Sequence, residues 1–172
     1  YVGAWQWDNY FHALAFRYTD AALARDQIEF MLDHQLPDGM IPDAIYDEGA
    51  ITHLEVPVAA AVTKPPIIGW VAMHVYDQTG DEQLLRDIYD PLVRWNSWWF
   101  GMNDDDADGI VQYTHPFSSG LDDSPLWDEG VPVEAVDLNT YLCLQMQALS
   151  RMARILGRPS DAVMWQRKAA AL

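Results

Sequence analysis

Asp81-Glu82-Gln83-Leu84-Leu85-Arg86-Asp87-Ile88-Tyr89-Asp90-Pro91-Leu92-Val93-Arg94-Trp95-Asn96-Ser97-Trp98-Trp99-Phe100-Gly101 is the stretch from which the fold follows. Leu84, Leu85, Ile88, Leu92, Trp95, Trp98 and Trp99 fall on one helical face, which predicts an amphipathic helix from Asp81 to Gly101. Working outward, Gly80 closes an earlier helix that should begin at Pro65-Pro66, since proline fits a first helical turn, and run through Trp70 and Val75. The same patterning predicts helices over Asn9–Tyr18, Ala21–His34, Glu134–Leu156 and Ser160–Leu172. Breaks fall at Pro37-Asp38-Gly39 and at Gly157 and Pro159, and a loop is expected from Met40 to about Val62. Strand signal is confined to short pieces around Ile110 to Tyr113.

The helices recur in pairs. Asp38-Gly39-Met40 returns as Asp108-Gly109-Ile110, about 70 residues on and each time after a helix pair, while Gly80 and Gly157 separate the helices within pairs. Helix–turn–helix units at a fixed period bury one another's apolar faces, so the fold class is all-α, as an αα-toroid or a solenoid. Two to three hairpins fit into this length, too few to close a ring.

Composition narrows the function. The net charge of −16 argues against nucleic acid and against an anionic membrane surface, both of which reward Lys and Arg. The acidic residues are spread along the chain, which argues against a disordered acidic tail. No apolar run is long enough to span a bilayer. The lone Cys143 excludes an internal disulfide, is expected in the core, and places the expectation in a reducing, cytoplasmic setting. The chain starts at Tyr1 inside an aromatic cluster and ends in an Ala-rich helical run, so residues 1–172 are expected to be a portion of one larger domain, incomplete at both ends.

Two segments carry chemistry. Ser118-Ser119-Gly120-Leu121-Asp122-Asp123-Ser124-Pro125-Leu126-Trp127-Asp128 sets carboxylates beside apolar and aromatic groups on a loop. An acid so flanked can hold its proton and serve as a general acid, and carboxylate plus Trp is the pairing that sugar chemistry uses. The bland reading of Asp122-Asp123-Ser124-Pro125 is a helix-start device. Tyr1, Trp5, Trp7, Asp8, Tyr10, Phe11 and His12 form a second cluster of the same character, for which core packing is the bland reading.

Trp5-Gln6-Trp7-Asp8-Asn9-Tyr10-Phe11-His12 resembles the W-x-W-D-x-x-F-H segment of glycoside hydrolase family 63, in the branch of mannosylglycerate and glucosylglycerate hydrolase-like enzymes, with trehalases as more distant clan members. Thr63-Lys64-Pro65-Pro66 is similar to the family's Q-P-P segment, Ser118 to Pro125 to its E-S-G-x-D-[DN]-S-P segment, and Asp137-Leu138-Asn139 to a later D-L-N. The resemblance implies an (α/α)6 toroid and an inverting exo-glycosidase acting on an α-linked glucoside or mannoside. It places the general acid on Asp122 and the sugar pocket on Tyr1, Trp5, Trp7, Asp8 and Phe11, with Lys64, Gly120 and Leu121 as further substrate contacts. The chain departs from the pattern at Ser118, where the family usually has Glu, and at Lys64, where it usually has Gln. Inversion needs a second carboxylate across the sugar, and the family's Glu for that task lies beyond this chain; Glu129 and Glu134 read as local caps or rim charges.

Leu121 and Trp127 are expected to desolvate Asp122, and Asp123 to act either as a cap or as a carboxylate that supports the acid from behind. Lys64, at the start of a helix, reads either as selector of an anionic aglycone such as glycerate or as a solvated loop lysine. Other constellations are weaker. Asp104-x-Asp106-x-Asp108-Gly109 matches the start of a calcium loop, but His115 stands at the twelfth position, so a solvated acidic turn outranks a structural calcium and no cofactor is expected. The five histidines lack zinc spacing, although His115 is placed to support the pocket. P-loop, dinucleotide and serine-hydrolase motifs are absent. The alternatives to the family 63 reading are another helical-toroid sugar enzyme, glucoamylase-like or rhamnosidase-like, and a non-catalytic helical carbohydrate-binding module.

Overall fold

The computed structural model describes residues 3–172. Its helices are α1 (Gln6–Phe16), α2 (Ala21–Asp33), α3 (Ile68–Thr79), α4 (Glu82–Met102), α5 (Val136–Ile155) and α6 (Pro159–Ala171). They form three consecutive hairpins: α1, α3 and α5 lie side by side, α2 packs on α1 and α3, α4 on α3 and α5, and α6 on α5. The stretch Asp81 to Gly101 is α4 within a residue at either end, and all seven of its predicted core residues are buried. Asp20 and Asp81 start α2 and α4 by accepting the Leu23 and Leu84 N–H groups, each at 3.0 Å.

The repeated Asp-Gly-hydrophobic unit builds the same turn twice. Asp38 Oδ1 accepts the Met40 N–H at 3.0 Å and Asp108 Oδ1 accepts the Ile110 N–H at 2.7 Å. Gly39 and Gly109 sit at φ of 102° and 92°, where a side chain is strained. Each turn redirects the chain from the outer helix of a hairpin toward one end of the bundle, into the buried segments Met40–Ile41 and Val111. The D-L-N segment anchors the second of these: Asn139 exchanges hydrogen bonds with the Val111 backbone at 2.9 and 2.8 Å, and the Asp137 carboxylate accepts the Tyr113 hydroxyl at 3.1 Å.

Four expectations are corrected. The loop after Met40 carries strand pairing: β1 (Gly3–Trp5), β2 (Ala44–Tyr46) and β3 (Gly49–Ile51) form an antiparallel sheet, and β4 (His53–Leu54) pairs with β5 (Ala60–Ala61). The Ile110–Tyr113 segment contributes only an isolated bridge, Tyr113 to Val133. The helix expected at Pro65 begins at Ile68, because a proline disfavours helical backbone in the residue before it and Pro66 follows Pro65. Cys143 is half-buried rather than in the core, its thiol directed at the Ala169 carbonyl between α5 and α6 at 3.3 Å.

Candidate active site

Gln6 is where distant segments meet. It opens α1, and its backbone N–H donates to the Asp43 carbonyl at 2.9 Å, continuing the β1–β2 pairing in which Trp5 faces Ala44. Its buried carboxamide oxygen accepts the Lys64 N–H at 2.5 Å and the Thr63 hydroxyl at 3.2 Å. The Thr63 N–H in turn reaches the Ser118 hydroxyl at 3.4 Å. Ser118, the serine in place of the family's Glu, is buried and serves as that acceptor. Segments at residues 5–8, 63–66 and 118–122, widely separated in sequence, thus converge at one end of the bundle.

The acid-bearing loop is built from a short 3-10 turn, Pro116–Ser119, followed by Gly120. His115 caps it: its Nδ1 accepts the Phe117 N–H at 3.1 Å, so the ring proton resides on Nε2 and faces the Val56 carbonyl at 3.3 Å. Burial holds the imidazole pKa below its ordinary value, opposed by the Val56 hydrogen bond, with Lys64 lowering it further. The neutral ring thereby holds the 115–120 turn against the 56–58 loop. Ser119 continues the turn by accepting the Leu121 N–H at 2.9 Å.

Gly120 has φ of 71°, and a Cβ there would stand 2.0 Å from Trp7 Cζ2. The Trp7 indole lies directly on the glycine. Gly120→Ala therefore combines left-handed backbone strain of about 1–3 kcal/mol with a clash against a ring that is part of the core packing. Urea unfolding should register that loss; a variant as stable as the wild type would mean that Trp7 does not seat the loop.

The sequence-predicted residues divide between two hollows. Trp5 and Asp8 line one of about 270 Å³ with Gly3, Asn9 and His12, and the Asp8 carboxylate is exposed to it. Asp122 lines the other, about 590 Å³, with Pro57, Val58, Phe117, Asp123 and Trp127. Trp7 and Phe11 are not in the Trp5–Asp8 hollow: Phe11 sits edge-on to Trp7 with ring centroids 5.8 Å apart, on the side of α1 that carries Gly120. Tyr1 lies outside the described residues.

The surroundings of Asp122 differ from expectation. Leu121 is 58% exposed and Asp122 itself is exposed, so Leu121 gives it no apolar cover. The Leu121 carbonyl accepts the Trp127 indole N–H at 2.8 Å, which ties the loop back on itself. Asp123 is not the cap of the following turn; Ser124 is, accepting the Leu126 N–H at 3.2 Å. Glu134 is exposed beside the Asp104–Asp108 turn; local desolvation, and after it the carboxylates of that turn, hold its pKa above the ordinary carboxylate value. In that turn the Asp104, Asp106 and Asp108 oxygens approach within 4.8 Å of one another and accept the N–H groups of Asp108, Gly109 and Ile110.

Lys64 is corrected most. It does not start a helix and it is not solvated: it is 5% exposed, its Nζ lies 2.7 Å from Asp43 Oδ1, and it donates to the Phe117 carbonyl. Asp43, absent from the sequence-based site, is 2% exposed. Burial pushes its pKa up to about 6, against the pull of Lys64, and the negative charges of Asp122 and Asp8 add to the rise. Asp8 and Asp122 are therefore both within electrostatic reach of Asp43, the carboxylate that Lys64 pairs with. Asp43 left no signal of its own in the sequence; the only pointer was Lys64, a cation where the family carries a neutral side chain.

Comparison with known proteins shows the family. The family profile described as "Mannosylglycerate hydrolase MGH1-like glycoside hydrolase domain" matches residues 1–172. The chain is 28% identical over 153 residues to mannosylglycerate hydrolase of Thermus thermophilus, covering 78% of this chain and 37% of that protein. It is 22% identical over 153 residues to glucosylglycerate hydrolase of Mycolicibacterium hassiacum, covering 74% and 34%. The crystal structure of the GH63 mannosylglycerate hydrolase from Thermus thermophilus in complex with glucose superposes with a TM-score of 0.79 at 20% identity, over 98% of this chain and 58% of that one. The chain spans about a third of the length of these curated relatives. No helix among the described residues is long and apolar enough to cross a membrane. With its whole length matched, the chain belongs to the family of MGH1-like glycoside hydrolase domains.

Proposed function

We propose that the full-length protein is an inverting exo-glycosidase that hydrolyses an α-linked glucoside or mannoside, glucosyl- or mannosylglycerate above all. Residues 1–172 would supply three hairpins and the general-acid half of an (α/α)6 toroid. The observation that carries this reading is the convergence of the Trp5–Asp8, Thr63–Pro66 and Ser118–Asp122 segments through Gln6 and Ser118. Names of relatives that act on glycosylglycerates support the substrate class.

In this mechanism the terminal sugar occupies the hollow lined by Trp5 and Asp8, its C–H face on the indole and its hydroxyls on the carboxylate. Asp122, in the other hollow, meets a substrate that extends from one hollow to the other, and gives the glycosidic oxygen a proton as the bond to the anomeric carbon breaks. Water, activated by a Glu outside this chain, attacks from the opposite face at a carboxylate separation of roughly 6.5–9.5 Å. Since Leu121 leaves Asp122 open, the desolvation that strengthens the acid's contacts comes from the bound sugar and from the opposite wall of the cleft. Lys64 acts from beneath the site, bound to Asp43, rather than as a free cation that meets an acidic aglycone. Proton transfer and hydrolysis by water need no cofactor, and a calcium ion at Asp104, Asp106 and Asp108 has no step in this reading. A cytoplasmic location, suggested by the single cysteine, belongs to the same proposal.

Release of free hexose from α-mannosylglycerate and α-glucosylglycerate by the full-length protein tests the activity; no release from either would end this assignment. The pocket is tested separately. A hydrogen bond to a charged group is worth about 1.5–3 kcal/mol, so Asp8→Ala should weaken inhibition by the free hexose about 10- to 100-fold. Unchanged inhibition would remove Asp8 from the sugar site.

A further inference from the structure

We propose that the buried Asp43–Lys64 ion pair is the positioning element for the general acid, holding the Asp122 loop through the carbonyl of Phe117. The inference rests on the glycosidase reading and adds two residues to it. Neither charge is explained by stability alone: an ion pair with side chains 6% and 3% exposed is costly to desolvate, and an apolar pair of similar volume is often as stable. What this pair does is reach from one segment to another. Lys64 enters from the Thr63–Pro66 segment, Asp43 from the chain leading into β2, and the ammonium bridges the Asp43 carboxylate to the Phe117 carbonyl.

Phe117 lies within the 3-10 turn Pro116–Ser119, two residues before the Ser119 hydroxyl that accepts the Leu121 N–H. Moving that carbonyl moves the turn, and the turn carries Gly120, Leu121 and Asp122. The remaining supports fix other parts of the same unit: His115 binds the Phe117 N–H, Ser118 accepts from Thr63, and Trp7 closes on Gly120. The Asp43 side chain is kept in place by its backbone, since its carbonyl accepts the Gln6 N–H and its own N–H donates to the Ile51 carbonyl, both at 2.9 Å. Asp43 holds Lys64, Lys64 holds Phe117, and Phe117 fixes the approach of Asp122. Neither charge touches the reacting atoms, so both are positioning residues.

A positioning role predicts dependence on the leaving group. Glycerate leaves only with a proton, whereas fluoride leaves with little help from an acid. The full-length Asp43→Asn/Lys64→Met double variant removes both charges and leaves none buried alone. Its kcat on α-mannosylglycerate should fall by about 10²-fold, the loss that a displacement of about 1 Å can cause, while kcat on α-mannosyl fluoride stays within about threefold. If the double variant fails to fold, Lys64→Arg keeps the charge but moves the donors, and the same split should appear with a smaller loss. Equal loss on both substrates, or loss on neither, would overturn the positioning role. Asp122→Asn is the control that separates the two claims: it should show the same split, and if it does not, the acid assignment fails rather than the ion pair's part in it.

Discussion

Asp122→Asn in the full-length protein is expected to lower kcat on α-mannosylglycerate or α-glucosylglycerate by about 10²- to 10⁴-fold, the usual contribution of a positioned general acid. Asparagine keeps the shape of the side chain and cannot give up a proton. The substitution is structurally mild because Asp122 is exposed and lies two residues beyond the glycine that seats the loop on Trp7. Binding of the free hexose should therefore stay within a few-fold of wild type while turnover collapses. Asp123, its neighbour on the same exposed stretch and not a cap, provides the internal comparison: Asp123→Asn should do much less harm. Activity of the Asp122 variant within a few-fold of wild type would remove it from the mechanism.

The second large effect concerns stability. Lys64→Met leaves the Asp43 carboxylate buried without its cation, and breaking a buried pair from one side costs about 3–5 kcal/mol. The deficit should depend on pH with a defined sign. Asp43 has a folded-state pKa of about 6 against an ordinary value of 3.8, so the folded protein keeps this proton where the unfolded chain has lost it. Its contribution to stability is full below pH about 4 and is lost as pH rises toward 6. Without Lys64 the charged carboxylate loses the attraction that held this pKa down, so the variant's deficit should be largest near pH 7 and shrink toward pH 5 as Asp43 takes up its proton. Urea unfolding at the two pH values measures this. A deficit below about 1 kcal/mol at pH 7, or one that grows toward pH 5, would mean that the pair is not the buried ion pair described.

The helices were legible because their signal is local. Leu84 to Trp99 repeat with the helical period, and burial of that face follows from the period alone. The Asp-Gly-hydrophobic turns were legible for the same reason, since Asp38 and Asp108 each bind the N–H two residues on. The strands were not: pieces of two or three residues carry no periodicity, and β1 becomes a strand only by pairing with β2, about 40 residues later. Asp122, Trp5 and Asp8 stand out as candidates because they sit in segments that resemble the family's motifs. Lys64 stands out in the sequence, but its surroundings do not, since they are set by Asp43 and Phe117, neither near it in sequence. Asp43 itself is an ordinary acid in a short turn-rich stretch, and only the pairing of β1 with β2 brings it beneath the site. Gly120 read as part of a motif, but its reason for being glycine, the Trp7 ring against it, lies across the fold.

The claim that most of this depends on is direct displacement by water at the anomeric carbon, with Asp122 protonating the departing oxygen. Proton NMR of the full-length protein acting on α-mannosylglycerate, recorded in the first minutes before mutarotation, reads the configuration of the sugar as it is released. The account predicts β-mannose first, with the α-anomer growing in only as the free sugar equilibrates. Release of α-mannose first would require a covalent intermediate and a carboxylate close to Asp122 in place of a distant base, and would contradict it.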